Sequence, residues 1–266
     1  MRRRIDDMPE NLNSCPFCHS NSVHRIWDGP RWDYCQECGL YFRNPMPTQQ
    51  ELDTLYESSW TDPEQCTSET GGTSLALARV YANRLLRALG LSSFQGLRIL
   101  DFGAGRGNML KALQELGAEV VGVETYGKVY LESQGFEGYE QLSEVVGRFD
   151  GIVTIDVVEH LHSPWDTLKT LNVLLKEKGW LYVATGNPLG LNARVNGSNW
   201  REAKKAGHLV FPSPRTLEKM LLEAGFLKVE RLKWLIRFHR NPVRIILNYG
   251  MQMLGVDGEL RYLGWK

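Results

Sequence analysis

Residues Arg98 to Leu110 read Arg-Ile-Leu-Asp-Phe-Gly-Ala-Gly-Arg-Gly-Asn-Met-Leu. Ile99 to Phe102 form the apolar end of a buried strand. Three alternate glycines, Gly103, Gly105 and Gly107, make a tight turn, and a helix opens at Asn108. Without Cβ atoms, a ligand can lie against the backbone amides at the helix N-terminus. That much suits any nucleotide-binding βαβ unit. The spacing narrows it. A dinucleotide loop takes Gly-x-Gly-x-x-Gly, whereas this chain has Gly-x-Gly-x-Gly behind an in-strand acid, Asp101, which disfavours an NAD-dependent enzyme.

Further strands follow in order. Glu119-Val-Val-Gly-Val-Glu124 is apolar and ends in an acid seventeen residues past Gly107. A carboxylate there can accept both hydroxyls of a ribose in a charge-assisted pair of hydrogen bonds. Phe149-Asp-Gly-Ile-Val-Thr-Ile-Asp156 is a third apolar strand, followed by Val157-Val-Glu-His-Leu-His-Ser-Pro164. Lys176-Glu-Lys-Gly-Trp-Leu-Tyr-Val-Ala-Thr185 reads as helix end, glycine turn and strand. From about Leu75 to Leu232 this ordered set resembles the class I S-adenosylmethionine-dependent methyltransferases, in the methyltransferase-23-like branch with its Glu-His-Leu loop. Asp101-x-Gly103-x-Gly105-x-Gly107 matches the family's motif I.

The resemblance implies an α/β fold with a Rossmann-like seven-stranded sheet, mainly parallel with one antiparallel edge strand and helices on both faces. It implies S-adenosylmethionine as cofactor. Asp101, Gly103, Ala104, Gly105 and Gly107 would hold the methionine moiety and Glu124 the ribose, with Asp156 among the contacts. Arg106 reads equally as a partner of the methionine carboxylate or as a solvated loop arginine. The sequence does not place the adenine contacts, for which Glu140 and Gln141 are only candidates.

Lys plus Arg equals Asp plus Glu at 31 each, so the formal charge is zero. A protein that coats nucleic acid through counterion release needs a basic excess, so an RNA or tRNA methyltransferase ranks behind a small-molecule one. No apolar run approaches a membrane span, and no hydrophobic stretch follows Met1-Arg-Arg-Arg to make a signal peptide. A cytoplasmic protein is expected.

Cys15, Cys18, Cys35 and Cys38 have the spacing Cys-x2-Cys-x16-Cys-x2-Cys. Two such knuckles complete a tetrahedral S4 site, which we read as structural zinc. Gly39 follows the second pair where a turn needs φ > 0, and His19 takes that place in the first. Cys66 is assigned no metal role. The run from Cys35 to Thr48 resembles the Cys-x-x-Cys-Gly-Leu-x-Phe-x-Asn-Pro-x-Pro-Thr segment ahead of the fold in family members from polysaccharide and sugar biosynthesis clusters.

The expected organisation is a mobile start over residues 1–13, a zinc ribbon over 14–47, a connector over 48–73 and a methyltransferase domain over 74–266. Thr48 and Glu51 read as a capping box opening a short helix to about Tyr56. Asp62 to Thr73 reads as a loop at the cofactor mouth, and Ser74 to Leu89 as a helix whose apolar stripe is core. Gly186 to Gly207 is polar and rich in Asn and Gly, and reads as a long loop. His208-Leu-Val-Phe-Pro-Ser leads into a helix over about Pro214 to Ala224, and Phe226 to Leu235 supplies a strand. Asn241 and Pro242 open an apolar helix ended by Gly255. That helix is read as core-packed or a homodimer interface before a substrate lid or lipid-linked-acceptor contact aided by Arg237, Arg240 and Arg244. Glu259 to Trp265 is the antiparallel strand.

The chemistry of transfer points to the residues after the fourth strand. Asp156-Val-Val-Glu159-His160 with the later His208 is similar to the Glu-x-x-Glu-His set of ubiquinone-pathway O-methyltransferases and small-RNA 2′-O-methyltransferases, where a divalent ion grips the acceptor's adjacent hydroxyls. Here the first acid is one methylene shorter. Asp156, Glu159, His160 and His208 suit such an ion. Alternatively, His160 with Glu159 acts as a general base without metal. The expected function is O-methylation of a small hydroxylated acceptor, either a sugar or polysaccharide precursor or a diol- or catechol-like metabolite. A non-catalytic S-adenosylmethionine-binding zinc-ribbon protein is the alternative.

Overall fold

The computed structural model describes residues 11–61, 73–233 and 242–266. The chain opens with β1 (Val23–Trp27), β2 (Trp32–Cys35) and β3 (Leu40–Arg43), an antiparallel ribbon carrying the four cysteines. Helix α1 (Gln49–Thr61) follows. Its capping box is formed: the Thr48 N–H donates to Glu51 Oε2 at 2.8 Å and the Glu51 N–H to Thr48 Oγ1 at 3.2 Å. The helix runs five residues beyond Tyr56. The loop expected over Asp62 to Thr73 lies outside the described residues except for Thr73.

Helix α2 (Leu75–Ala88) starts on the Ser74 cap and buries Ala78, Tyr81, Ala82, Leu85 and Leu86, as its apolar stripe predicts. Then come β4 (Arg98–Phe102), α3 (Asn108–Gln114), β5 (Glu119–Val123), α4 (Lys128–Ser133) and β6 (Glu137–Tyr139). Next are β7 (Phe149–Ile155), α5 (Pro164–Leu174) and β8 (Leu175–Gly186). The positive φ before the last β8 segment belongs to Lys178 at 63°, not to the glycine beside it.

The segment from Gly186 to Gly207 is not a structureless loop. It holds α6 (Leu191–Asn196), a 3-10 turn over Gly197–Asn199 and α7 (Arg201–Lys204). Ala193, Trp200 and Ala203 bury themselves against Trp32, Tyr41 and Phe211, which anchors the polar residues between them. The chain ends with β9 (Val210–Pro212), α8 (Pro214–Glu223), β10 (Lys228–Arg231), α9 (Pro242–Met253) and β11 (Glu259–Trp265).

The main sheet has the order β10-β11-β8-β7-β4-β5-β6. Leu100 pairs with Val121 on one side and Ile152 on the other, and all three are fully buried. Helices cover both faces over two apolar clusters. Only β11 runs antiparallel, and it sits one strand in from the edge, paired with β8 and β10. The expected edge position is therefore corrected: β10, which precedes α9 in the chain, closes the sheet outside β11.

The ribbon forms a second sheet, completed by a strand from far along the chain. Strand β9 pairs with β3, making the order β1-β2-β3-β9, with Tyr41 opposite Phe211 and Phe42 opposite Val210. Cys15, Cys35, Cys38, Leu40 and Phe42 join the same apolar cluster as Leu209, Val210 and Leu217.

The tail helix corrects the core-packed half of its expectation. On α9 and just after it, Ile246, Leu247, Tyr249, Met253 and Leu254 are exposed, Leu254 at 79%. These side chains are not core. Asn241, Arg237 and Arg240 lie outside the described residues. Among those described, no helix is long and apolar enough to cross a membrane.

Candidate active site

A cavity of about 410 Å³ opens at the C-terminal ends of β4, β5 and β7, the usual ligand crevice of an open α/β sheet. The glycine loop forms one wall. Gly103 and Ala104 donate their N–H groups to Val123 O at 2.9 and 3.0 Å, so the turn lies across the end of β5. Gly103 has φ of 79°, and a Cβ there would meet Val157 Cγ2 at 2.2 Å. No side chain of any other type fits that position. Gly103 and Gly105 face the cavity; Ala104 lines the adjoining hollow with Asp101 and Arg106. Gly107 lines neither. It caps α3 with a left-handed backbone and packs against Phe136 and Leu131.

Glu124 lines the same cavity and accepts the Gly105 N–H at 2.8 Å, tying the loop to the end of β5. Burial pushes its pKa up, against the pull of the Gly105 and Tyr126 N–H groups. Asp101 is 3% exposed, and its Oδ2 has no hydrogen-bond partner. Burial, then the charge of Glu124, pushes its pKa up to about 8. Arg106 lies over the Tyr130 ring at 5.3 Å. Glu140 and Gln141 are exposed and line neither space; Thr125 and Tyr126 are the residues the cavity meets after Glu124.

The other wall carries the polar residues after β7. Glu159, His160 and His208 each present a ligand atom, all within 4.8 Å of one another. Glu159 is 2% exposed and accepts Thr185 Oγ1–H at 2.7 Å. Burial, then the Asp156 charge, pushes it up to about 8. Burial holds His160 down at about 4, so its imidazole is neutral. His208 is 2% exposed, and its Nδ1 has no partner. Its pKa falls well below the ordinary value through burial and the neighbouring His160.

Asp156 corrects the four-residue reading. It lines the cavity but falls outside the 4.8 Å group, because its left-handed backbone (φ 55°) starts the turn that carries Glu159 and His160 round. The cleft walls, then the Glu259 charge, push its pKa up to about 7.

The ribbon sets the place of His208. The Arg43 N–H donates to Leu209 O at 2.8 Å, and the Leu209 N–H donates to Glu159 O at 2.7 Å. Arg43 also donates a side-chain hydrogen bond to Lys205 O at 2.8 Å. In the second knuckle Gly39 has φ of 85°, and Thr216 Oγ1 donates to Cys38 O at 2.6 Å, fixing the start of α8. Cysteine knuckle, β3, β9 and His208 are thus one continuous construction.

The four thiols fit a thiophilic cation. Their sulfurs lie within 4.8 Å of one another, with Cys15–Cys38 and Cys18–Cys35 at 3.5 Å. A tetrahedral zinc with bonds of about 2.3 Å spaces its sulfurs by roughly 3.8 Å. The hydrogen-bonded Cys15 sulfur, then burial, push the Cys38 thiol up. Four sulfurs at this spacing could hold one such cation between them.

Sequence reasoning missed Tyr56, Tyr126, Glu202 and Lys205, all of which line the cavity. One signal was available: Gln49, Leu52 and Tyr56 recur at i, i+3 and i+7, and all three face the cavity.

Comparison with known proteins agrees with this geometry. A family model described as a methyltransferase domain matches residues 75–231. The chain belongs to this methyltransferase family. The ubiquinone biosynthesis O-methyltransferase of Cereibacter sphaeroides is 31% identical over 156 residues, covering 52% of this chain and 63% of that protein. The protein of the same name from Ruegeria pomeroyi is 30% identical over 174 residues, covering 58% and 70%. The chain thus spans just under two thirds of the first of these relatives. A SAM-dependent methyltransferase from Archaeoglobus fulgidus shares the fold, with a TM-score of 0.53 and 22% identity over 71% of this chain and 94% of that one.

Proposed function

We propose that the protein moves the sulfonium methyl group of S-adenosylmethionine to an oxygen of a small hydroxylated acceptor, either a sugar or polysaccharide precursor or a diol- or catechol-like metabolite. The observation that carries this reading is the juxtaposition, round one cavity, of the glycine loop with Glu124 and of the Glu159–His160–His208 cluster. Two relatives bearing an O-methyltransferase name support the choice of oxygen.

The cofactor supplies an electrophilic methyl group on a good leaving group. The protein's own work is to bind, orient and exclude water. Gly103 and Gly105 leave a bare backbone surface, and Glu124 accepts ribose hydroxyls. Asp101 offers an unpaired carboxyl oxygen to the cationic methionine end. Glu159, His160 and His208 would hold a divalent ion that lowers the pKa of a bound hydroxyl, or His160 alone removes its proton. The orphaned His208 Nδ1 favours the ion. Cys15, Cys18, Cys35 and Cys38 hold one structural zinc in this reading. The exposed apolar face of α9 is where a second copy would seat.

Asp101 provides a pH test. With a pKa of about 8 in the free protein, it is protonated at pH 7. A cation placed beside it favours the carboxylate, so binding releases a proton and affinity rises with pH until about pH 8. Calorimetry in two buffers of different ionisation enthalpy should detect this release in the wild type and its loss in Asp101→Asn. Equal proton release in both proteins would take Asp101 off the methionine end.

The acceptor is tested by a product screen with labelled cofactor against diol, catechol and glycoside acceptors. With an acceptor found, chelator treatment should abolish transfer, Mg²⁺, Mn²⁺ or Zn²⁺ should restore it, and His208→Ala should remain inactive. Full transfer in chelator would leave His160 as a metal-free base.

A further inference from the structure

Tyr56 lies on the connector helix, more than a hundred residues from His160 in sequence. Its hydroxyl oxygen is 2.5 Å from His160 Nδ1. The same nitrogen is 2.9 Å from Gly207 O, and the Tyr56 hydroxyl is 3.4 Å from that carbonyl. Gly207 O can only accept. The assignment consistent with all three distances puts the proton on Nδ1, shared between the Tyr56 oxygen and Gly207 O, while the Tyr56 O–H turns to Gly207 O. The other ring nitrogen, Nε2, then keeps its lone pair.

Helix α1 holds Tyr56 there at several points. His162 Nε2 lies 2.7 Å from Pro47 O, just ahead of the capping box. Leu52 is buried, and Tyr126 donates its hydroxyl proton to Asp53 at 2.5 Å. The Tyr56 and Tyr126 rings stack at 5.6 Å, and Tyr56 meets His160 edge-on at 5.8 Å. Gly207 leaves room for the hydroxyl, since a Cβ there would sit 2.1 Å from it.

We propose that Tyr56 is a positioning residue for His160: with Gly207 O it seats the Nδ1–H tautomer and locks the ring so that Nε2 serves the methyl acceptor or a divalent ion. This rests on the reading of His160 as an acceptor-side group, and it makes the connector helix part of the active site. A group that orients a ligating or catalytic histidine commonly changes metal affinity or activity by 10–100-fold when removed.

The test uses the full chain labelled with ¹⁵N-histidine, with the His160 signals assigned from His160→Gln. Long-range ¹H–¹⁵N correlation should show one tautomer in the wild type, protonated at Nδ1. Tyr56→Phe keeps the ring but loses the hydroxyl, and should show a second tautomer or exchange-broadened His160 signals. Gly207→Ala should do the same with the tyrosine present, and the double variant should be no worse than either. Mn²⁺ affinity, measured on the same proteins, should fall about tenfold in Tyr56→Phe. Unchanged His160 signals and unchanged Mn²⁺ affinity in a folded Tyr56→Phe protein would overturn the proposal. A wild type that binds no Mn²⁺ would remove the metal reading of the cluster, and the spectra would still decide the role of Tyr56.

Discussion

Replacing Cys35 and Cys38 together with serine should abolish the zinc binding proposed for the ribbon and disable methyl transfer at least a hundredfold, although both residues belong to the ribbon. The reason is the continuity of the second knuckle with the site. Cys38 O accepts from Thr216, β3 pairs with β9, and Leu209 ties that strand to Glu159 while delivering His208. Structural zinc contributes roughly 10–16 kcal/mol to small isolated zinc modules. Here the ribbon also packs into the main core, so a loss on the order of 5 kcal/mol is expected, lowering the midpoint of thermal unfolding by about 10–20 °C. In the molecules that stay folded the cofactor should still bind, because the glycine loop hangs on β4 and β5. Elemental analysis, thermal melts and cofactor titration separate these effects, with Cys66→Ser as the control that keeps its zinc. A double variant with full zinc, or with wild-type transfer, would dissolve the link between ribbon and site.

Gly103→Ala should weaken cofactor binding by roughly thirtyfold or more. The left-handed backbone at φ 79° costs an alanine about 1–2 kcal/mol. The added Cβ must also displace Val157, whose Cγ2 it would meet at 2.2 Å, at roughly 1–3 kcal/mol more. Together these come to about 2–5 kcal/mol, a loss of roughly thirtyfold to a few thousandfold if the strain is relieved by moving the loop out of its binding shape. Gly90→Ala isolates the backbone effect, since Gly90 has φ of 69° with nothing within 4 Å of the added atom. It should melt slightly earlier and bind the cofactor normally. A Gly103→Ala protein of wild-type affinity would mean that the loop is not the cofactor's seat.

What could be read from the sequence was what local patterns encode. The glycine loop, the apolar strands around it and the capping box at Thr48 follow from short-range spacing, whereas the antiparallel direction of Glu259 to Trp265 is implied by the family resemblance. The cysteine pairs follow from spacing as well, because two thiols at i and i+3 meet across one turn. What escaped was long-range or too short to show a period. Strand β9 is three residues long and ends in Pro212, and its pairing with β3 joins residues about 170 apart. Strand β6 is equally short. Polar composition hid α6 and α7, which depend on Ala193, Trp200 and Ala203 meeting aromatic residues from the ribbon. The apolar circumference of α9 suggested burial, yet Ile246, Leu247, Tyr249 and Met253 are exposed in the single chain. In the site, Glu159, His160 and His208 come together as the motif suggests. The left-handed turn at Asp156 and the seat made by Tyr56 and Gly207 have no local signature.

The central claim is that this cavity holds S-adenosylmethionine between the glycine loop and Glu124. Titrating the purified full chain with S-adenosylmethionine in a calorimeter tests it most directly. One site per chain, competed by S-adenosylhomocysteine and indifferent to NAD, is the predicted result. No binding of either S-adenosyl compound, or tight binding of NAD in their place, would contradict it.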